Sequence, residues 1–243
     1  AVEAGAVVVD NSAAFRMSHP LVIPTVNGHL VQGPGLYANP NCSTIMFVAA
    51  LDPIRRAFGL RHVTVSTYQA VSGAGRDAIE ELRTQTRALA RGEVASPQVF
   101  PEPCAQNVFP HESEIDDTGF NGEERKMIAE SARLWNEDVP ILPTCVRVPV
   151  ERAHSQSIVA ELDRPASAEA IIDVLRATPG LRLVDTPTPL KAAHTDDVHV
   201  GRVRTRGSRV AIWTCCDQLR RGAALNTIEI ADLAIRGAVV PSA

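Results

Sequence analysis

Strand-like and helix-like segments follow one another along this chain without strict alternation, and this order limits the fold more than any other feature. Some stretches alternate apolar and polar residues, as β-strands do, whereas others repeat apolar residues with the period of a helix. The sequence therefore predicts an α/β protein built on an α+β domain with a mixed sheet, flanked at both termini by pieces of another domain. The predicted strands are 6–11, 62–68, 144–150, 156–162, 181–184, 198–204 and 209–214, and the predicted helices are 42–58, 79–89, 123–136, 168–176 and 223–235.

Composition and charge exclude several classes of protein. The chain has 243 residues, 45% of them apolar and 21% charged, which fits a globular protein with one large domain or two modest ones. Its net charge is -4 and no window concentrates Lys and Arg, so we expect no nucleic-acid partner. The longest apolar run, 45–51, is far shorter than the roughly 18 residues of a membrane span, so we expect a cytoplasmic protein without membrane contact.

The five cysteines give no sign of a disulfide framework, because they are odd in number and widely scattered. No pair of them has the spacing of zinc ligands, so we predict no metal site. Four of them are interpreted as structural thiols: Cys104, Cys145, Cys215 and Cys216.

Cys42 is different, because a helix with Asn41 or Ser43 as its N-cap is predicted to begin here. A thiol on the first turn of a helix meets unpaired N–H groups and the positive end of the helix dipole, and both favour the thiolate. The alternative is a small buried residue that fills the core, which is the commoner role of a cysteine. The preceding Asn39-Pro40-Asn41 favours a nucleophile, because it places an amide donor where a developing oxyanion can use it.

The glycines between Gly73 and Ala78 have the spacing of a dinucleotide-binding fingerprint. A Pro-rich irregular stretch, 93–122, follows where a second parallel strand would be needed. We therefore favour a tight turn whose backbone N–H groups approach an anionic or carbonyl ligand.

Four charged or titratable residues are further candidates for a binding site. Glu123 and Lys126 stand three apart at a helix start and could present opposite charges to a small polar ligand, although such pairs are usually solvated. Arg147 interrupts an apolar run, and a buried guanidinium is costly unless a carboxylate or a ligand pairs with it. His154, taken alone, is more often a structural histidine than a proton carrier.

Taken together, five motifs in one order resemble the aspartate-semialdehyde dehydrogenase family. The resemblance runs from Val7 to Ile235 but corresponds only to the later two thirds of that family. The motifs are Asp10-Asn11-Ser12-Ala13-Ala14-Phe15-Arg16, Asn39-Pro40-Asn41-Cys42-Ser43-Thr44, Tyr68-Gln69-Ala70-Val71-Ser72-Gly73-Ala74-Gly75, Arg147-Val148-Pro149-Val150 with His154-Ser155, and Gly222-Ala223-Ala224-Leu225-Asn226.

The resemblance implies a fold of the glyceraldehyde-3-phosphate dehydrogenase type. Residues 1–41 would be the end of an NADP-binding Rossmann domain, 42–221 the catalytic and dimerisation domain, and 222–243 a helix that returns to the Rossmann domain. We expect the chain to be truncated at its N-terminus, with a strand and a glycine-rich turn upstream, and the fragment alone not to turn over.

The resemblance also implies roles for individual residues. Cys42 matches the nucleophile, His154 the acid/base and Gln69 the amide that orients the acyl intermediate. The residues implied to bind substrate and phosphate are Arg147 for the carboxylate, Glu123 for the amino group, and Lys126, Arg16 and Asn41 for phosphate. Those implied to contact the cofactor are Ser72, Gly73 and Asn226.

The implied reaction is the reversible NADP-dependent reductive dephosphorylation of aspartyl phosphate to aspartate semialdehyde through a cysteine thioester. It would serve lysine, threonine, methionine and diaminopimelate biosynthesis in a homodimer or homotetramer. One alternative is an N-acetyl-glutamyl-phosphate reductase, which acts on an acylated amine. The pairing of Glu123 with a free substrate ammonium argues against it. The other alternative is a non-catalytic homologue that keeps only the dimer surface. The joint presence of four residues argues against it: Cys42, Gln69, Arg147 and His154.

Overall fold

A seven-stranded mixed sheet and a separate two-stranded parallel sheet organise the chain. The computed structural model describes residues 1–238. Its strands are β1 (Val7–Asp10), β2 (Gly35–Ala38), β3 (His62–Gln69), β4 (Phe109–Pro110), β5 (Ile141–Arg147), β6 (His154–Glu161), β7 (Leu181–Leu183), β8 (Val198–Arg206) and β9 (Arg209–Cys216). Its helices are α1 (Pro24–Asn27), α2 (Cys42–Phe58), α3 (Arg76–Ala90), α4 (Gly122–Trp135), α5 (Ala168–Arg176), α6 (Pro189–Ala192) and α7 (Leu225–Ala238).

The large sheet has the strand order β4-β5-β3-β6-β9-β8-β7, with both parallel and antiparallel pairs. This confirms the predicted α/β class and mixed sheet. The main core lies between one face of this sheet and helices α2, α4 and α5. On the opposite face the central strands carry exposed side chains such as Leu142, 50% exposed, and Val159, 38% exposed. In β3 the buried residues are every second one, as the alternating sequence predicts.

Most element boundaries follow the predictions, but strand β5 does not. It runs from Ile141 to Arg147 and not over 144–150. Strand β4 pairs only with Val146 and Arg147, so the rest of β5 has no neighbouring strand on that side. Pro143 is tolerated there because no backbone N–H is required on the open side of an edge strand. Strand β5 ends at Arg147, opposite Gln69, which is the last residue of β3.

Four short elements were not predicted, because segments of two to four residues show no period: β2, α1, β4 and α6. The last helix also differs from the prediction. A π-helical turn, Arg220–Ala224, precedes α7, which begins at Leu225 and extends beyond the predicted residue 235.

The last helix returns to the two-stranded sheet. Strands β1 and β2 pair in parallel, from Val7 opposite Gly35 to Asp10 opposite Ala38. A small core joins α7 to this sheet and contains Val22, Val31, Tyr37, Ile230 and Ala234. The domain boundaries at 41/42 and 221/222 stay predictions. Among residues 1–238, no helix combines the length and apolar character that a membrane span needs.

Candidate active site

Three strand ends meet at one edge of the large sheet. Strands β3 and β5 are parallel and end side by side, with Gln69 opposite Arg147. Strand β6 is antiparallel to β3, so it begins at this edge, and its first residue is His154. The first turns of α2 and α4 supply Cys42 and Glu123 to the same place. The topology thus brings together residues that are far apart in sequence.

Helix α2 holds Cys42 at its first position. The side-chain oxygen of Asn41 accepts hydrogen bonds from the N–H groups of Ser43 and Thr44, at 2.9 and 3.4 Å, so Asn41 is the cap and not Ser43, the other predicted candidate. The Cys42 Sγ atom lies 3.5 Å from His154 Nε2. Gly222 lies close to this residue, since a Cβ at that position would stand 3.1 Å from Cys42 Cβ, a tighter contact than most side chains make.

The ionisation of Cys42 differs from the prediction. Burial, and then the negative charge of Glu123, raise the pKa of the Cys42 thiol from 9.0 to about 12, although hydrogen bonds from Ser43 and the charge of Arg16 act in the opposite direction. The prediction of a helix-stabilised thiolate is therefore wrong for the ligand-free chain. The helix terminus is present, but loss of solvent around the sulfur outweighs it.

The imidazole of His154 is fully buried and held in one tautomer. The backbone N–H of Ala70 donates to its Nδ1 atom at 3.0 Å, so the proton of the neutral ring sits on Nε2 and faces Cys42 Sγ. Burial, and then the positive charge of Arg147, lower the pKa of His154 from 6.5 to about 3. His154 is therefore a neutral hydrogen-bond donor to the sulfur.

Glu123 is a buried carboxylate that links several of the predicted site residues. Its Oε1 atom accepts from Asn41 Nδ2 at 2.9 Å and from Gln69 Nε2 at 3.1 Å. Its Oε2 atom pairs with Lys126 Nζ at 3.2 Å. Burial alone would raise the pKa of Glu123, but the surrounding positive charges and amide donors together lower it. Glu123 is thus a negative charge next to the thiol.

Arg147 is 2% exposed, and a carboxylate pairs with it as its burial requires. That partner is Glu112, whose two oxygens accept from Nη2 at 2.6 Å and from Nε at 3.3 Å. The other contacts of the guanidinium are Nη1 to the Ala70 carbonyl at 2.8 Å and Nη2 to His111 Nε2 at 3.1 Å. The fork predicted for a substrate carboxylate is therefore occupied by a side chain of the protein.

The predicted phosphate residues are engaged in contacts within the protein. Arg16 donates to the carbonyls of Asn39 and Asn11, at 2.9 and 3.0 Å, and forms an ion pair with Glu130 at 3.1 Å. Glu130 also accepts from the backbone N–H of Asn41 at 2.7 Å. Arg16 is thus connected to the start of α2 through Glu130. The Asn41 amide, expected to face an oxyanion, donates to Glu123.

The three predicted cofactor residues lie in two places. Ser72 Oγ accepts from Gln218 Nε2 at 2.5 Å, and a Cβ at Gly73 would stand 3.3 Å from His154 Cε1 and 3.6 Å from Arg147 Nη1. Gly73 therefore leaves space beside the imidazole and the guanidinium. Asn226 is on α7, where its Nδ2 atom donates to Asn39 Oδ1 at 2.6 Å and to the Val22 carbonyl at 2.9 Å.

Sequence reasoning missed two residues that line the site, His111 and Glu112. They belong to the irregular stretch 93–122, for which no periodicity predicts a position. The unexplained charge of Arg147 was the one usable signal, because it required a carboxylate somewhere. Ala70 was also missed, since its role is carried by the backbone N–H.

The fold and this cysteine–histidine site define a class of enzyme, the semialdehyde dehydrogenases. Residues 51–221 match the family model described as "Semialdehyde dehydrogenase, dimerisation domain". The aspartate-semialdehyde dehydrogenase of Bacillus subtilis is 43% identical, with 96% of this chain and 73% of that protein covered. The chain belongs to the aspartate-semialdehyde dehydrogenase family, a family of oxidoreductases.

Solved structures give the same result. The aspartate semialdehyde dehydrogenase II of Vibrio cholerae, complexed with ASA, is 40% identical and superposes with a TM-score of 0.93, over 97% of this chain and 74% of that one. The aspartate semialdehyde dehydrogenase of Candida albicans, solved with NADP, shares the fold with a TM-score of 0.75 at 24% identity, over 98% of this chain and 73% of that one.

Proposed function

We propose that the protein containing this chain reduces aspartyl phosphate to aspartate semialdehyde through a thioester on Cys42, with NADP as cofactor. The observation that carries the proposal is the 3.5 Å contact between Cys42 Sγ and His154 Nε2 at the edge where Arg147 and Glu123 also lie. The reaction would take place in the cytoplasm and serve lysine, threonine, methionine and diaminopimelate biosynthesis.

The substrate itself activates the nucleophile in this proposal. In the free chain, Glu123 helps to keep the Cys42 thiol protonated. A substrate ammonium that pairs with Glu123 cancels this negative charge and so lowers the pKa of Cys42. The Cys42 S–H bond then breaks and its proton goes to the phosphate group, the sulfur attacks the acyl carbon, the new S–C bond replaces the bond from that carbon to the phosphate oxygen, and phosphate leaves with the bonding electrons and that proton.

His154 acts as a neutral hydrogen-bond donor in this sequence. Its Nε2–H group faces the sulfur, and the Ala70 N–H disfavours a second ring proton on Nδ1. Such a group stabilises the thiolate before attack and again when the sulfur departs from the aldehyde. Gln69, held by Thr67 and Glu123, orients the acyl group.

The remaining polar residues bind substrate. Arg147 holds the carboxylate, and Lys126, with 39% of its side chain exposed, is the accessible cation for phosphate. Arg16 and Asn41 contribute to the phosphate site through the positions they hold beside Cys42 and Glu130.

The residues of this chain fit the nicotinamide end of NADP. Gly73 leaves open the space that a side chain would fill beside His154, and Asn226 Oδ1 is buried without a hydrogen-bond partner within residues 1–238. Ser72 and Gly73 would hold that end of the cofactor, and Asn226 would contact the cofactor from α7. NADPH, when bound, supplies the hydride that reduces the thioester.

We also propose that two copies associate through the open face of the large sheet. Leu142 and Val159 are exposed there, and Tyr68 packs against Trp213 with ring centroids 5.2 Å apart and the rings tilted by 43°. The match to a dimerisation domain supports a homodimer, which could in turn form a homotetramer. The proposed domains remain 1–41, 42–221 and 222–243.

The test is the replacement of Cys42 by Ala in the complete enzyme. Turnover, followed as NADPH formation from aspartate semialdehyde and phosphate, is expected to fall below detection. A C42A enzyme that kept the wild-type rate would refute the thioester. N-acetyl-glutamate semialdehyde, tested as the rival substrate, is expected to react poorly, because its acylated amine carries no charge for Glu123.

A further inference from the structure

We infer that Glu112 is an internal carboxylate that occupies the substrate's place on Arg147 and must be displaced when substrate binds. This inference rests on the proposed function, because it takes Arg147 as the site of the substrate carboxylate. The pairing of Glu112 Oε1 with Nη2 at 2.6 Å and of Oε2 with Nε at 3.3 Å is the two-point geometry by which a ligand carboxylate binds a guanidinium.

Both edges of the Arg147 guanidinium are engaged in the ligand-free chain. Glu112 covers the edge formed by Nε and Nη2, while Nη1 donates to the Ala70 carbonyl and Nη2 also donates to His111. A second carboxylate therefore cannot bind Arg147 through two hydrogen bonds while Glu112 stays in place. The ligand must exchange with Glu112.

Exchange is possible because the two partners differ in burial. The side chain of Arg147 is 2% exposed, and that of Glu112 is 22% exposed. Glu112 also lies just after β4, outside the helices and long strands. The carboxylate of Glu112 can move to solvent, whereas the guanidinium of Arg147 cannot follow it. A ligand carboxylate that takes its place leaves the buried guanidinium paired throughout.

Glu112 therefore stabilises the free protein and weakens the binding of carboxylate ligands. Part of each ligand's binding energy is used to displace Glu112. The apparent affinity for a carboxylate ligand is therefore the intrinsic affinity multiplied by the fraction of molecules in which Arg147 is free. Removing the Glu112 charge should lower stability and increase affinity together. If Glu112 merely held Arg147 in position, removing its charge would lower both stability and affinity.

The test measures how well aldehydes protect Cys42 from iodoacetamide. An aldehyde adds the thiol reversibly, since the S–H bond breaks, sulfur bonds to the carbonyl carbon and the proton goes to the oxygen. Succinic semialdehyde and butanal are the probes, because they have the same chain length and only the first has a carboxylate. Cys42 alkylation is read by mass spectrometry of its peptide, and the other four thiols are buried.

Glu112→Gln is expected to lower the half-protecting concentration of succinic semialdehyde by roughly ten- to a hundredfold, the scale of a charged hydrogen-bond pair. Butanal should protect both proteins equally. Glu114→Gln, which removes an exposed carboxylate two residues away, is the matched control and should change neither value. If Glu112→Gln proves too unstable to fold, Glu112→Asp, with one methylene less, should shift protection by succinic semialdehyde in the same direction.

Arg147→Lys separates failure of this inference from failure of the proposed function. If Arg147→Lys weakens protection by succinic semialdehyde but Glu112→Gln does not strengthen it, the inference about Glu112 is wrong and the substrate site stands. If Arg147→Lys leaves protection unchanged, Arg147 is not the carboxylate site, and the proposed substrate recognition fails with it. Weaker protection in Glu112→Gln would show that Glu112 only positions Arg147.

Discussion

Replacing Glu123 with Gln should make Cys42 more reactive in the ligand-free chain. Burial and the charge of Glu123 are, in that order, the two causes that raise the pKa of the Cys42 thiol to about 12. Gln keeps an oxygen for the amides of Asn41 and Gln69, which bond to Glu123 Oε1, and removes the charge. Lys126, half-exposed, can turn its ammonium to solvent.

The expected fall in the pKa of Cys42 follows from the effect of one neighbouring charge on a titrating group. A single opposite or like charge within a few ångströms shifts a pKa by about one unit or more, which is about 1.4 kcal/mol. Burial of Cys42 remains, so the pKa should fall by about one unit and the thiolate fraction at pH 8 should increase about tenfold.

The assay is the second-order rate constant for alkylation of Cys42 by iodoacetamide between pH 7 and 10, measured on the Cys42 peptide. Glu114→Gln serves as the control for loss of one negative charge in the same part of the chain and should leave the rate unchanged. If Glu123→Gln reacts at the wild-type rate or more slowly, Glu123 does not govern the ionisation of Cys42, and substrate-assisted activation is refuted with it.

Two more predictions concern stability. His154 has a pKa of about 3 in the folded chain against 6.5 ordinarily, so the unfolded state takes up the proton first as pH falls, and stability is lost from pH 6.5 downwards. Between pH 7 and 5, the free energy of unfolding measured by urea denaturation should therefore fall by about 2 kcal/mol more in the wild type than in His154→Asn. Equal losses in the two proteins would contradict the lowered pKa of His154. Asn41→Ala removes the cap of α2 and should lower the free energy of unfolding by about 1 to 2 kcal/mol. Ser167→Ala removes the exposed cap of α5 and should lower it by less. A smaller loss in Asn41→Ala than in Ser167→Ala would show that the buried cap contributes little.

The sequence predicts those parts of the structure that depend on local pattern. Alternation in β3 and the cap before α2 are visible because neighbours along the chain cause them. The order of motifs also pointed to the residues that gather around Cys42. What pattern could not supply was the environment of each group, and the ionisation of Cys42 is an example, because burial by distant segments decides it.

The partner of Arg147 shows the same limit. A buried guanidinium in a strand predicts that a carboxylate exists, but Glu112 lies 35 positions earlier in an irregular stretch. Only the tertiary fold brings the two together. The predicted start of β5 was wrong for a related reason, since whether Pro143 is tolerated depends on which neighbouring strand reaches it.

The π-helical turn at Arg220–Ala224 lies between the site around Cys42 and the part of α7 that packs on the small sheet. Gly222 in this turn lies against Cys42, and the helix that follows buries Ile230 and Ala234 on the small sheet. Deleting one residue of the turn would rotate every later side chain by about 100° around the helix axis and carry both away from that core. Insertions and deletions should therefore be rarer here than in the surface loops of related chains.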